Sequence, residues 1–121
     1  MPIDPETTKK VLTAITKAIA FFGKALDKIQ KLRRNTITYR DLIHEMTVSK
    51  PNDPDVNQCA VLKENLPDGV IRLTIIYLDS ENNPVFTSKD GKQSYGCEIT
   101  VKQIDQELTA AFNGKSLLIF R

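Results

Sequence analysis

The chain has 121 residues, 40% hydrophobic and 26% charged, with a formal net charge of +2. That length fits one domain burying roughly two-thirds of its unfolded surface, and the composition excludes a disordered or low-complexity chain. The small net charge excludes a strongly basic nucleic-acid binder, but its distribution is uneven. Residues 1–50 carry ten Lys/Arg against five Asp/Glu, and residues 51–121 carry seven against ten. Such asymmetry suits self-association, an acidic partner or neutralisation within one fold.

The opening MPIDPE has neither the basic nor the apolar region of a signal peptide. No apolar run approaches the ~20 residues of a membrane-spanning helix. With Cys59 and Cys97 far apart in sequence, the expectation is a cytoplasmic protein with two reduced, packed thiols and no disulfide.

Taken in chain order, Asp4-Pro5-Glu6 opens a helix, with a capping carboxylate, proline in the first turn and an acid at the positive end of the dipole. The helix is expected to run to about Arg34. Leu12, Ile15, Ile19, Phe22, Leu26 and Ile29 follow a 3–4 spacing, which defines an apolar stripe. Val11, Ala18, Ala25 and Leu32 widen it, while Lys10, Lys17, Lys24 and Lys31 form a row directly opposite. A stripe that wide belongs to a helix packed on a domain or in a bundle. At ~1.5 Å per residue the helix would be ~45 Å long, against a domain diameter of roughly 35 Å. A second copy would then cover the overhang, and the six stripe residues form the expected protein interface. Phe21 lies off the stripe and, with the four lysines, marks a possible second contact with a membrane surface or nucleic acid.

Thr38 and Asp41 form a capping box for a short second helix with Tyr39, Leu42, Ile43 and Met46 on its apolar face. Asp53-Pro54 is expected to open a third helix reaching about Asn65. VIRLTIIYL (70–78) reads as a strand buried on both faces. VFTS (85–88) and YGCEI (95–99) follow as strands separated by turns. Thr100 and Gln103 suggest a further helix bearing Ile104, Leu108, Ala111 and Phe112; Asn113-Gly114 stops it, and SLLIF (116–120) returns as a strand buried within the sheet. The fold class expected is α+β: a long helix (1–34), short helices and a loop (35–69), then a small, mainly antiparallel sheet with one helix (70–121).

Catalytic and metal signatures are weak. Asp53, Asp55, Asn57 and Glu64 match positions of a calcium loop, but Gln58 stands where the turn needs glycine. NGKS (113–116) follows a helix instead of opening one, unlike a phosphate loop. His44, the only histidine, pairs on its helix with Asp41, and nothing local joins it to Cys59 as a nucleophile couple. Two cysteines and one histidine make zinc an unattractive reading, and no spacing marks Glu98 and Asp105 as an acid/base pair. No cofactor, metal or small-molecule ligand is implied.

TITYRDLIHEMTVSK (36–50), followed by a helix and then a strand pair, has the helix–helix–hairpin order of winged-helix modules. The helix that would enter the groove, however, carries Lys63 alone against Asp55 and Glu64. The expectation is a non-enzymatic protein-interaction module, an adaptor, regulator or assembly subunit, that self-associates through its first helix. The partner is itself or another protein; nucleic acid or a membrane surface is the alternative.

Overall fold

The computed structural model describes the backbone of residues 5–27 and 29–120, and the side chains of residues 5–17 and 29–120. The chain is α+β, as expected. The elements in order are α1 (Pro5–Asp27), β1 (Gln30–Arg33), β2 (Thr36–Ile37), α2 (Tyr39–Ser49), β3 (Gln58–Asn65), β4 (Ile71–Leu78), β5 (Cys97–Val101), β6 (Gln103–Ile104), α3 (Gln106–Phe112) and β7 (Leu117–Phe120). Five strands form one mixed sheet in the order β1-β5-β4-β3-β7, and β2 pairs with β6 in a small parallel ribbon. Only β1 runs parallel to its neighbour in the main sheet; the other contacts are antiparallel.

β4 is buried on both faces as its β-branched run implies, from Leu73 to Leu78. Leu73, Ile75 and Tyr77 point into a core shared with Leu42 and Met46 of α2 and Leu108 and Phe112 of α3. Ile76 and Leu78 point to the opposite face, where Val11 and Ile15 of α1 pack with Ala60, Phe86 and Leu117. The sheet is therefore sandwiched, with α2 and α3 on one side and α1 on the other.

Local chemistry behaves as expected at α2. The Thr38 hydroxyl accepts from Asp41 N at 3.0 Å, and the Asp41 carboxylate accepts from Thr38 N at 3.1 Å. Bonding to the Thr38 backbone N–H first, and to the Thr38 side chain second, holds the Asp41 carboxyl below its usual range. At the other end of α2, Tyr77 Oη donates to Met46 O at 2.8 Å and lies 2.7 Å from Ser49 Oγ. A strand side chain thus satisfies one of the carbonyls left open at the end of a helix.

Several expectations are corrected. The first helix stops at Asp27, and residues 30–33 form a strand beside β5. Twenty-three residues span ~35 Å, so the overhang argued from length is absent. Residues 58–65 are a central strand instead of a third helix. Cys59, Ala60 and Val61 are all buried because both faces of β3 are covered. A run without alternation cannot be told from a helix by periodicity. The reversal into β4 uses Asp68 and Gly69, both at positive φ, a turn signal that sits directly after the strand. Thr100 lies inside β5, and α3 is capped by Asp105, whose carboxylate accepts from Leu108 N at 2.9 Å. Finally, β7 lies at the sheet's edge instead of its interior: Leu117 is buried, but Leu118, Ile119 and Phe120 are half-buried. Residues 85–88, expected as a strand, hold a single isolated bridge, Thr87 to Ser94, and the expected cap Asp4 lies outside the described residues.

Gly96, just before β5, has φ +118, and a β-carbon there would lie 2.7 Å from Ile75 O. Gly91, at a turn with φ +72, has open space around it. Gly96→Ala is expected to lose about 1–3 kcal/mol from backbone conformation alone, with the backbone clash in addition. Gly91→Ala should lose only about 1 kcal/mol. Thermal melts of the two variants against the parent check the ordering.

Candidate interaction surface

The stripe read from the sequence divides. Ile15 is fully buried and Leu12 half-buried, both against the α1 face of the sheet. Val11, from the widened part of the stripe, is also fully buried. Ile29 is buried too, but it lies past the end of α1 and packs beside Gly96. The side chains of Ile19, Phe22 and Leu26, and those of Phe21 and Lys24, lie outside the described ones. In the lysine row, Lys10 and Lys17 are exposed as expected, with Lys10 3.7 Å from Glu6. An exposed pair of that kind contributes little. Lys31 leaves the row altogether, because it belongs to β1, opposite Glu98.

The α1 face of the sheet changes character along the strands. Beneath α1 it is apolar, with Ala60, Leu62, Ile76, Leu78, Leu117 and Ile119. Farther along β3 and β4, Arg72 makes a two-bond contact to Glu64 (Nη2–Oε2 2.9 Å and Nε–Oε1 3.2 Å). It also lies 4.0 Å from Glu98 of β5. This charged ladder was not legible in the sequence, since reading residues 54–65 as a helix separated Glu64 from Arg72.

Two clefts flank the sheet. One, of about 320 Å³, lies between the end of α2 and β3, lined by Met46, Lys50, Gln58, Cys59, Tyr77 and Phe120 among others. The other, of about 660 Å³, lies between the end of β1 and the β3–β4 turn, and brings Arg33, Arg34 and Lys102 together with Asp68. Arg34 is committed to Glu45 at 2.6 Å.

The two thiols, the Tyr77 phenol and the Asp53 carboxylate are engaged in the fold. Burial pushes the Cys59 thiol up to about 12. Burial, then the Glu45 and Glu98 carboxylates, push Cys97 up to about 11. Burial pushes Tyr77 up to about 12, against the opposing effect of its hydrogen bond with Ser49. Both cysteines are free and buried, consistent with the reduced thiols expected. His44 is exposed while Cys59 is buried, and the two form no couple. Asp53 accepts from Asp55 N and from Tyr95 Oη, each at 2.9 Å, and these bonds lower its pKa. Its calcium-loop companion Glu64 is paired with Arg72. Among the described residues no group of three or more His, Cys, Asp or Glu is placed to hold a metal ion, and no helix is long and apolar enough to cross a membrane. The winged-helix order is lost along with the third helix.

No protein-family model matches the chain, and no significant match was found among curated proteins or solved structures.

The buried thiols and Tyr77 generate a pH dependence of definite sign. In the unfolded chain the thiols ionise near 9.0 and the phenol near 10.0, whereas the folded groups hold their protons to about 11 and 12. Base therefore favours the unfolded chain once pH passes 9.0, and stability should fall progressively toward pH 12. Denaturant titrations across this range check the slope. At pH 8 the native thiols should react with a disulfide reagent far more slowly than in denaturant, and the melting temperature should be the same with and without reductant.

Proposed function

We propose that this chain is a small, non-enzymatic protein-interaction module, an adaptor, regulator or assembly subunit, that self-associates through α1. The observation that carries the reading is the amphipathic stripe. Its first members, Leu12 and Ile15, pack on the domain with Val11, and the pattern continues along the helix through Ile19, Phe22 and Leu26. A three-in-seven apolar face in water needs cover along its whole length. The non-enzymatic reading draws on the thiols and phenol being held protonated by burial, since a nucleophile must be both ionised and accessible.

Binding of nucleic acid is the second reading, favoured by the cleft that brings Arg33 and Lys102 together. A membrane surface, engaged through Phe21 and the lysine row, is the third.

The mass of the protein in solution, measured alone, with nucleic acid and with anionic vesicles, separates these readings. The parent is expected to be oligomeric, and Ile19→Asp or Leu26→Asp to dissociate it, because a buried unpaired charge costs several kcal/mol. Changing Lys10, Lys17 and Lys24 together to Gln should leave the mass and the melting temperature unchanged. A parent that stays monomeric at high micromolar concentration, and whose DNA or vesicle binding vanishes with the lysines, refutes the proposal.

A further inference from the structure

The two edges of the main sheet are not alike. β1 reads Gln30-Lys31-Leu32-Arg33, and the exposed Lys31 and Arg33 guard it against another strand. β7 reads Leu117-Leu118-Ile119-Phe120, with no charge, proline or bulge along it. Natural edges of that composition are covered or paired, because their open N–H and C=O groups template a further strand.

The ladder fixes which groups are open. Lys63 N donates to Ser116 O at 2.7 Å, and the β3–β7 register continues through Leu62↔Leu117, Val61↔Leu118, Ala60↔Ile119 and Cys59↔Phe120. In an antiparallel pair, hydrogen-bonded and non-hydrogen-bonded positions alternate. Ser116, Leu118 and Phe120 therefore turn their backbone groups toward β3, while Leu117 and Ile119 turn theirs to the open edge.

We infer that β7 pairs antiparallel with β7 of a second copy about a two-fold axis at Leu118, joining the two sheets into one. The inference rests on the self-association reading and adds to it a second element of the contact. Three observations select a second copy as the occupant. A strand beside β7 extends both apolar layers, the one holding Leu118 and Phe120 and the one holding Leu117 and Ile119. Such a strand must therefore be apolar at successive positions, and this chain's own LLIF is. With the axis at Leu118, Leu117 of each copy faces Ile119 of the other on the same side of the sheet, and all four open backbone groups of each strand are satisfied. Finally, α1 packs on Leu117, so joining the β7 edges also brings the two α1 helices toward each other. One two-fold contact then serves both elements.

Ile119→Pro tests the pairing. The nitrogen at this position points away from β3, so proline removes an outward donor and leaves the internal ladder intact. The variant should melt cooperatively and show half the parent's mass in sedimentation, while Ile119→Val keeps the parent's mass. Leu118→Lys and Leu118→Glu supply a second test, since like charges meet at the axis in either variant. Each alone should be monomeric, and an equimolar mixture should recover the dimer. In the parent, exchange of the Leu117 and Ile119 amides should slow as concentration rises. A folded Ile119→Pro protein that keeps the dimer mass, or a Leu118 mixture that stays monomeric, overturns the pairing. If Ile19→Asp dissociates the protein while the β7 variants do not, α1 self-association stands and the edge pairing falls. A strictly monomeric parent removes both.

Discussion

The fold depends on a central strand that must be apolar on both faces. From Leu73 to Leu78 every residue of β4 is buried, and a strand in that position requires a layer on each side and a neighbour along each edge. Successive side chains point to opposite faces, so Leu73, Ile75 and Tyr77 define the core under α2 and α3, and Ile76 and Leu78 define the core under α1. The antiparallel register hands this parity to β3 and β5. Val61 lies opposite Ile75 and Ala60 opposite Ile76, while Ile99 lies opposite Leu73. A one-residue slip of any neighbour would turn its whole apolar set to the wrong layer.

The same parity explains where the sheet stops being greasy. Thr74 is the one buried polar residue among those described, and it sits opposite Glu98. Beyond it come Arg72 and Glu64, and Arg72 pairs with both Glu64 and Glu98 where the face is open to water. α1 lies over the apolar stretch and fixes its position through Val11 and Ile15. On the other side, Tyr77 reaches from the strand to Met46 O near the end of α2, tying helix to sheet by a bond as well as by packing. The buried thiols belong to this layer as small apolar groups, with burial as the main force holding them protonated.

The two sheet edges bear on the proposed self-association differently. Lysine and arginine on β1 keep water at that edge. On β7, which has no strand on its outer side among the described residues, Leu118, Ile119 and Phe120 are half-buried, and any strand that met them would also meet the flank of α1. α1 packs on Leu117 of this strand, so a contact made along β7 lies beside the helix.

What the sequence determined by itself was whatever short-range chemistry decides. The capping box at Thr38 and Asp41, the stop at Asn113-Gly114 and the doubly apolar run of β4 were legible because each needs only neighbouring residues. The α+β class followed from them. The tertiary structure alone decided the identity of Gln58–Asn65, since burial on both faces erases the alternation that distinguishes a strand. It decided the end of α1, because a heptad pattern can be carried past Asp27 on paper, whereas residues 30–33 gain a parallel partner only when β5 is beside them. It likewise decided that Lys31 faces Glu98 across strands, that Glu64 grips Arg72, and that SLLIF lies at an edge instead of inside. Each of these depends on residues distant in sequence, and their pairing energy enters only once the chain has folded.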